Sequence, residues 1–328
     1  MHALKLEAVG ARLLAGDFPD PDPVAREVLL RVAACGVCRT DLHVADGELA
    51  NPKLPLVLGH QLVGYVIGRG PAAERFREGE RVGVTWLGSS DGTCAFCRSG
   101  RENLCPNAMF TGYTRDGGYA THVTADERYC APLPGNLDDA HAAPLLCAGV
   151  IGHRALRFAG DARTIGLYGF GSSAHLVTRV AVAEGRMVFA FTRAGDIEGQ
   201  RFARSVGAAW AGDALGPAPE PLDAAIIFAP AGELVLAALR AVAPGGTVVC
   251  AGIHMSDIPS FAYELIWGER AIRSVANVTR QDAAEFLPLA ARIGLRPDIE
   301  TFPLDAANDA LDALRGGRIR GSAVLVPS

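Results

Sequence analysis

The sequence predicts an α/β protein made of a partly open β-barrel and a doubly wound parallel sheet. Up to about residue 150, short apolar runs are broken by Gly and Pro, which is typical of a barrel with long loops. From about residue 140 onward, continuously apolar runs alternate with segments of helical period. Strands that are apolar throughout and separated by helices are typical of a parallel, doubly wound sheet.

The individual elements follow from local patterns. In the first half, strands are predicted at EVLLRV, QLVGYVIG, ERVGVTW and YATHVTA. In the second of these runs, Val63, Tyr65 and Ile67 alternate as in a half-buried strand. A helix-like segment follows at HAAPLLCAGVIGHRALRFA, and then come TIGLYGF, SAHLVTRVAVAEG, MVFAFT, AAIIFA, ELVLAALRAV and GGTVVCAGI as alternating strands and helices. The tail from DIETFPL to SAVLVPS has a strand–helix–strand texture that fits either part.

Composition excludes several classes of function. The chain has 328 residues, enough for two domains, and its formal net charge is −5. That charge, without a run of Lys or Arg, argues against nucleic-acid binding. The start MHALKLEAVG lacks the layout of a signal peptide, and no stretch of about 20 apolar residues could span a membrane. We therefore expect a cytoplasmic protein whose eight cysteines are ligands or buried thiols rather than disulfides.

A dinucleotide-binding turn is predicted between the strand TIGLYGF and the helix that follows it. Gly169, Gly171 and Ala174 have the G-x-G-x-x-A spacing, in which the glycines permit a tight turn and a close backbone approach to a pyrophosphate. The pyrophosphate then meets the positive end of the helix. Glycine patterns are common, but the strand–turn–helix context favours the dinucleotide interpretation here.

The end of the next strand bears on the choice of cofactor. An NAD-binding unit carries an acid about 20 residues after the glycines, where this chain has Thr192 and Arg193. A carboxylate would accept the ribose hydroxyls and repel a 2′-phosphate, whereas a hydroxyl followed by a guanidinium does the reverse. The sequence therefore favours NADP(H) over NAD(H), with a solvated surface charge as the alternative for Arg193.

Three closely spaced cysteines predict a structural metal site. Cys94, Cys97 and Cys105 are spaced C-x2-C-x7-C, and three thiolates this close in a cytosolic chain indicate a tetrahedral zinc. The fourth ligand is expected three residues before Cys94, where this chain has Asp91. An aspartate oxygen can bind zinc but is harder than sulfur. We therefore expect a Cys3Asp site that is weaker than a four-cysteine site, the alternative being a degenerate lobe with free thiols.

Another three residues could hold a second metal. Cys38 follows a strand, His60 follows Gly59, and Cys147 lies in the helix-like segment. A Cys2His set leaves a fourth zinc position open, as catalytic sites do. Spacing alone does not join residues so far apart. On the residues alone, His60 could be a hydrogen-bonded core histidine and Cys147 a small buried hydrophobe.

The motifs CGVCRTDLH, LVLGHQLVG, CRSGRENLC, PLLCAGV, GFGSSA and GSAVLVP make the chain resemble, over essentially its full length, the zinc-dependent alcohol dehydrogenases of the medium-chain dehydrogenase/reductase superfamily. The resemblance implies a GroES-like catalytic domain from residues 1–149 and 286–328, wrapped around a Rossmann dinucleotide-binding domain of residues 150–285. It also implies that Cys38, His60 and Cys147 meet at a catalytic zinc.

The resemblance further implies roles for individual residues. Asp41 would fix the tautomer of His60. Thr40 and His43 match a relay in which the hydroxyl passes the substrate proton through the cofactor ribose to the imidazole. Taken alone, these two would be a turn residue and an exposed loop histidine. Other residues match positions at the cofactor or the substrate: Arg39 at the cofactor phosphates, Asn277, Thr279 and Arg280 in the cofactor cleft, and Trp86 and Phe110 in the substrate pocket, with barrel-core aromatics as the alternative for the last two.

Two residues depart from the family pattern. Gln61 replaces a glutamate that lies near the zinc in relatives, so the net charge of the site rises by about one unit if that glutamate is ionised. We hypothesise a stronger Lewis acid that exchanges ligands more slowly, with neutral drift as the alternative. Ile151 stands where many relatives carry a threonine close to the nicotinamide. The remaining cysteines match no ligand position and are predicted to be buried thiols: Cys35, Cys130 and Cys250.

The sequence thus predicts a zinc-dependent alcohol dehydrogenase or aldehyde reductase that transfers hydride between a primary or aromatic alcohol and a nicotinamide cofactor. Relatives associate, so a homodimer or homotetramer is expected. The first alternative is a zinc-free quinone or enone reductase of the same superfamily, which has no use for all three of Cys38, His60 and Cys147. The second alternative is a nucleotide-binding protein that has lost turnover, as the two departures suggest.

Overall fold

The computed structural model of the chain describes residues 1–327. Within that range, no helix is both long and apolar enough to cross a bilayer. Numbered along the chain, the strands are β1 His2–Leu6, β2 Leu14–Asp17, β3 Glu27–Val37, β4 Leu56–Val57, β5 Gln61–Arg69, β6 Arg81–Val84, β7 Leu87–Ser89, β8 Met109–Phe110, β9 His122–Asp126, β10 Cys130–Pro132, β11 Thr164–Tyr168, β12 Met187–Thr192, β13 Trp210–Asp213, β14 Leu222–Ile227, β15 Val242–Cys250, β16 Ala271–Ser274, β17 Ile299–Pro303 and β18 Ser322–Val326. The α-helices are α1 Arg39–Ala45, α2 Ala95–Arg98, α3 Asp139–Ala142, α4 Ala148–Phe158, α5 Ser172–Ala183, α6 Ile197–Ser205, α7 Glu233–Ala241, α8 Arg280–Arg292 and α9 Ala307–Arg315.

The chain divides into two compact units. The first consists of Met1–Val150 together with the residues from Asn277 onward, and the second is Ile151–Ala276. The main sheet of the first unit has the order β10-β6-β5-β3-β18-β17, and β9 also pairs with β3. Leu325 of β18 lies opposite Cys35 of β3 in an antiparallel pair. The two ends of the chain therefore contribute to one sheet.

Strand β3 is the long central strand of this sheet, and the burial of its residues increases towards its carboxyl end. Val28, Leu30 and Val32 are buried in alternation with more exposed residues, as expected where one face meets the core. From Ala34 to Val37 every residue is buried, since β5 and β18 flank this end of the strand on both sides. Strand β3 therefore ends in the interior of the unit, immediately before Cys38.

The second unit contains a six-stranded parallel sheet, and every residue of this unit is described. Its order is β13-β12-β11-β14-β15-β16. Successive strands are added on one side of β11 up to β13 and then on the other side from β14 to β16. This is the 3-2-1-4-5-6 order of a dinucleotide-binding sheet. All five residues of β11 are buried, as in a parallel strand covered on both faces. The predicted α/β class with a doubly wound parallel sheet is confirmed.

The helix-like segment at residues 141–159 is interrupted. Helix α3 is followed by a tight 3-10 turn over Ala143–Leu146, and α4 begins only at Ala148. Pro144 cannot donate the N–H that a continuous α-helix requires. Cys147 has a non-helical φ of −131° and ψ of −71°. The break therefore leaves Cys147 outside both helices.

Candidate active site

Cys38 lies at the junction between β3 and α1 and caps the helix. Its Sγ accepts a hydrogen bond from the backbone N–H of Thr40 at 3.3 Å. Its own N–H donates to the Oδ2 atom of Asp41 at 2.9 Å. The reciprocal bonds form a capping box in which a thiol takes the place of the usual hydroxyl. The start of α1 therefore fixes the Cys38 sulfur and the Asp41 carboxylate together.

His60 bridges these two groups. Its Nε2 lies 3.3 Å from the Cys38 Sγ, and its Nδ1 lies 3.1 Å from the Asp41 Oδ1. The ring is 1% exposed and the carboxylate is fully buried. Because Asp41 accepts from Nδ1, the Nε2 atom is the one presented to the sulfur, which is the second-sphere arrangement typical of metal-bound histidines. The structure thus places the Asp41 carboxylate at hydrogen-bond distance from the His60 Nδ1.

Cys147 completes the cluster. The ligand atoms of Cys38, His60 and Cys147 all lie within 4.8 Å of one another. The predicted meeting of these three residues is confirmed, although each comes from a different part of the chain. The break between α3 and α4 places the third sulfur there.

The electrostatics of the cluster favour a cation. A hydrogen bond from Cys147, together with the neighbouring His60, lowers the pKa of Cys38 well below its usual value. That bond and burial raise the pKa of Cys147. Burial alone would lower the pKa of His60, but the Cys38 sulfur and the Asp41 carboxylate raise it to about 10. Two sulfurs and an imidazole that stabilise positive charge among buried groups fit a zinc ion, with a fourth position left open as in catalytic sites.

Tyr119 is a member of the site that the sequence did not reveal. Its hydroxyl donates to the Asp41 Oδ2 at 3.1 Å, and its side chain is fully buried. Burial raises the pKa of this phenol, so it remains a donor. Tyr119 lies in the run YATHVTA, whose pattern suggested only a strand. No local signal distinguished it from a core aromatic.

His43 and Thr40 lie on α1. His43 is buried, and its Nδ1 pairs with the carboxylate of Glu48. The backbone N–H of Glu48 also donates to the His43 carbonyl at 2.9 Å. Thr40 is half-buried. The sequence analysis missed Glu48, because an acid in a polar loop gives no signal of a tertiary partner.

Gln61 lies beside His60, at the first position of β5. It is 2% exposed, and its Oε1 is buried and accepts no hydrogen bond from any residue that the structure describes. The side chain packs against Gly36 of β3, where a Cβ atom would come within 2.9 Å of the Gln61 Cδ. An unpaired buried carbonyl is unfavourable. Gln61 is therefore a neutral residue next to a metal ligand in sequence, and its side-chain carbonyl has no hydrogen-bond donor among the described residues.

The predicted pocket aromatics form a stack near His60. The Trp86 and Phe110 rings are 4.5 Å apart, and the Trp86 ring meets the His60 ring edge-on at 6.4 Å. Tyr113 joins the stack 6.1 Å from Trp86. Ile151 is half-buried in α4 and belongs to the second unit.

A second cluster lies in the loop around α2. Ligand atoms of Asp91, Cys94, Cys97 and Cys105 all lie within 4.8 Å of one another. Cys94 caps α2, and its Sγ lies 3.5 Å from that of Cys97. Three thiols and a carboxylate at tetrahedral spacing fit a structural zinc, with Asp91 at the predicted fourth corner.

Asp91 is held in place by its own hydrogen bonds. Its Oδ1 accepts from the N–H groups of Cys94 at 2.9 Å and Thr93 at 2.8 Å, and Asn107 donates to its Oδ2 at 3.1 Å. These donors, led by the Cys94 N–H, hold the pKa of the Asp91 carboxyl well below its usual range. The group is therefore anionic, as a carboxyl group must be to bind a metal.

The predicted dinucleotide turn joins β11 to α5. Gly169 has a φ of +86°, and a Cβ there would come within 2.9 Å of Ala229, so only glycine fits. Gly171 is the N-cap of α5 and offers no capping side chain, and the positive end of a helix favours an anion. Ala174 is buried in the first turn.

The remaining predicted residues occupy varied environments. Arg39 and Arg193 are exposed, whereas Thr192 is 2% exposed and its hydroxyl donates to the carbonyl of Arg193 at 3.2 Å. The backbone N–H and the Nε of Arg280 both donate to one oxygen of Glu102 at 3.0 Å. The other positions are as follows: Asn277 has a φ of +56°, Thr279 caps α8, Cys35 and Cys130 are buried as predicted, and Cys250 is half-buried.

Several known proteins are similar to this chain in sequence or in fold. The alcohol dehydrogenase GroES-like domain family matches residues 24–135. The chain is 45% identical over 319 residues to the "Probable alcohol dehydrogenase AdhA" of Mycobacterium tuberculosis, covering 93% of this chain and 90% of that protein. It is 36% identical to an alcohol dehydrogenase of Geobacillus stearothermophilus over 312 residues, 91% of each chain. A cinnamyl alcohol dehydrogenase structure from Sorghum bicolor matches with a TM-score of 0.91 at 27% identity, covering 99% of this chain and 97% of that one.

Replacing Gly59 with alanine should destabilise the site. Gly59 has a φ of +96°, and a Cβ there would meet Tyr119 at 2.4 Å and Cys35 at 2.7 Å. Backbone strain and overpacking together should lower the free energy of unfolding by about 2–5 kcal/mol. Gly79 is the control, because its φ is +87° but no atom lies within 4 Å of the added Cβ. Denaturant unfolding of both variants measures the difference, and equal losses would contradict this account.

Replacing Asp91 with cysteine should strengthen the second metal site. A fourth thiolate is a softer ligand than a carboxylate, so the rate of zinc release from this cluster should fall at least about tenfold. Release can be followed with a chromogenic chelator, and Asp91→Asn, which removes the charge, should speed it. Release from Asp91→Cys at the parent rate would show that Asp91 does not limit metal retention.

Proposed function

The chain belongs to the zinc-containing, medium-chain alcohol dehydrogenase family, and we propose that it interconverts primary or aromatic alcohols and their aldehydes. It is an NAD(P)-dependent alcohol dehydrogenase, an oxidoreductase acting on CH–OH groups. The observation that carries this conclusion is the cluster of Cys38, His60 and Cys147, in which the imidazole is buried and the two thiols are half-buried. When bound, zinc at this cluster supplies a Lewis acid for the alcohol oxygen, and the nicotinamide supplies the hydride acceptor.

The chain's own residues hold the cluster in one orientation. Asp41 binds the His60 Nδ1, while the Cys38 N–H and the Tyr119 hydroxyl occupy its other oxygen. With both oxygens bonded, the carboxylate cannot rotate freely, and the imidazole keeps its Nε2 towards Cys38. This is preorganisation in the usual sense, because the ligand geometry exists before substrate arrives.

Thr40 and His43 support the proposed proton path. They are three residues apart on α1, so their side chains lie on the same side of the helix. Glu48 pairs with the His43 Nδ1, which assigns proton exchange to Nε2. The Thr40 hydroxyl would take up the alcohol proton, and the His43 imidazole would be the base that finally holds it, at Nε2.

The aromatic stack supports an apolar or aromatic substrate. The Trp86 ring lies beside His60 and stacks with Phe110 and Tyr113, and apolar or aromatic groups pack favourably against such rings.

For the cofactor, we favour NADP(H). Arg193 is exposed after β12, and no carboxylate of the described chain lies within ion-pair distance of it. A guanidinium at this position suits a 2′-phosphate. The glycine turn of Gly169 and Gly171 would take the pyrophosphate.

We also propose that the protein acts in the cytoplasm as a homo-oligomer. Its cysteines are free thiols in the structure, which suits a reducing compartment. Strand β16 is an open edge of its sheet, and Tyr263 and Trp267 in the preceding segment are 71% and 68% exposed. Large exposed aromatics and an unpaired edge are typical of surfaces that associate.

Replacing Cys38 with serine tests the catalytic assignment. The zinc content should fall by about one ion per chain, and hydride transfer on a panel of small alcohols should be lost while dinucleotide binding persists. Cys250→Ser is the control, since that thiol lies outside both clusters, and it should keep zinc and turnover. Unchanged turnover in Cys38→Ser would favour a zinc-free reductase. A parent that binds zinc and dinucleotide without any turnover would favour a protein that has lost catalysis.

Replacing Gln61 with glutamate tests the first departure from the family. A carboxylate in place of the unpaired amide should weaken the Lewis acid and speed metal exchange, so turnover should fall and the metal off-rate should rise, each by about threefold or more. Zinc release from the Asp91 cluster is an internal control and should not change. Equal turnover and equal off-rates in both proteins would identify Gln61 as neutral drift.

A further inference from the structure

The carboxyl ends of β12 and β13 lie side by side in the second unit. Thr192, the last residue of β12, is paired across the sheet with Asp213, the last residue of β13. Open α/β sheets bind nucleotides in the crevice outside the carboxyl ends of their strands. Asp213 therefore contributes a carboxylate to the same edge as the loop that carries Arg193.

Asp213 is bonded to that loop directly. Its Oδ1 accepts from the N–H of Gly195 at 3.2 Å and from the Nε2 of Gln200 at 3.1 Å. The same Gln200 amide donates to the Thr192 hydroxyl at 3.3 Å. This carboxylate oxygen thus holds the loop after Arg193 directly, and it is linked to Thr192, before Arg193, through the Gln200 amide.

The second oxygen of Asp213 has a different environment. The side chain is exposed, and no donor in the described part of the chain reaches Oδ2 within hydrogen-bond distance. Arg193 does not neutralise this carboxylate, because the two form no ion pair. The edge therefore presents a free cation and a free anion on one short loop and its neighbouring strand.

We propose that Asp213 is a specificity-determining residue, which opposes the 2′-phosphate that Arg193 attracts. This inference rests on the proposed dinucleotide binding at the β12 edge. A carboxylate accepts hydrogen bonds from ribose hydroxyls and repels a phosphate, which carries a charge near −2. The chain carries no acid at the end of β12, and Asp213 supplies one from the adjacent strand. The enzyme accordingly uses both NAD(H) and NADP(H), with a smaller preference for NADP(H) than Arg193 alone would give.

The test measures binding of 2′,5′-ADP and 5′-AMP to the full chain by calorimetry, which does not depend on turnover or on the metal. Asp213→Asn keeps an oxygen that can accept from Gly195 and Gln200 but removes the charge. Its affinity for 2′,5′-ADP should rise by about threefold or more, while its affinity for 5′-AMP should change by less than about twofold. The gain should shrink at high salt, because exposed charges are screened.

Asp223→Asn is the matched control. The Asp223 Oδ2 also accepts two backbone N–H groups, from Arg163 at 2.8 Å and Thr164 at 2.9 Å, but at the opposite, amino-terminal edge of the sheet. Its ratio of affinities for the two nucleotides should equal that of the parent. Arg193→Met should lower the affinity for 2′,5′-ADP and leave 5′-AMP binding unchanged.

The outcomes separate this inference from the proposal beneath it. An Asp213→Asn ratio equal to the parent's, or lower, would overturn the role of Asp213 and leave dinucleotide binding standing. A parent that binds neither nucleotide would overturn dinucleotide binding and the role of Asp213 together. Loss of 5′-AMP binding in Asp213→Asn, with an unchanged unfolding midpoint, would make the residue a loop support only and would contradict the inference.

Discussion

Burial of charge at the junction of β3, α1 and β5 is the constraint on which the rest of the first unit depends. Asp41 and His60 are taken out of water together and Cys38 is half-buried beside them, and a buried anion is stable only with hydrogen bonds and a compensating positive charge. The fold supplies the bonds through the capping box of α1 and through Tyr119. A divalent cation supplies the charge. Much of the surrounding geometry, including the glycine before His60, serves to bring these groups into contact.

The sequence predicted what is local and missed what depends on tertiary pairing. The strand–turn–helix at Gly169 and the cluster of Cys94, Cys97 and Cys105 are encoded within short segments, so spacing alone sufficed. Cys38 and His60 are 22 residues apart and Cys147 is farther still, so only the family resemblance could bring them together. Tyr119 meets Asp41 across 78 residues and Arg280 meets Glu102 across 178. No periodicity or spacing encodes such contacts, because they depend on how the sheet closes.

Each of the two metal clusters has one unusual residue, Gln61 beside the first and Asp91 in the second, and the two residues differ in their physical effect. At the catalytic cluster, Gln61 keeps the size of a glutamate and removes its charge, so the electrostatic field changes while the shape is kept. At the second cluster, Asp91 keeps the charge of a thiolate and replaces a soft sulfur with a hard oxygen. We expect the first change to act on the reactivity and the exchange of a bound ion, and the second on how firmly an ion is held. Each variation alters one property of its site and leaves the other intact.

The second cluster is also linked by hydrogen bonds and a ring contact to the start of α8. The Ser90 hydroxyl lies 3.2 Å from the Cys97 Sγ and 2.6 Å from the Tyr129 hydroxyl, and the Arg280 guanidinium lies 5.2 Å from the centre of the Tyr129 ring. Arg280 returns to the cluster through Glu102, whose carbonyl accepts from the Cys105 N–H at 3.1 Å. Two cysteine ligands are thereby connected to the first residue of α8. Glu102 is 3% exposed and accepts two hydrogen bonds from Arg280. Removing the Arg280 side chain would therefore leave a buried carboxylate without its counter-charge, and such a change is strongly destabilising. The metal lobe thus secures the start of a helix that is distant in sequence, and this is reason enough for the lobe to persist with an aspartate in its fourth corner.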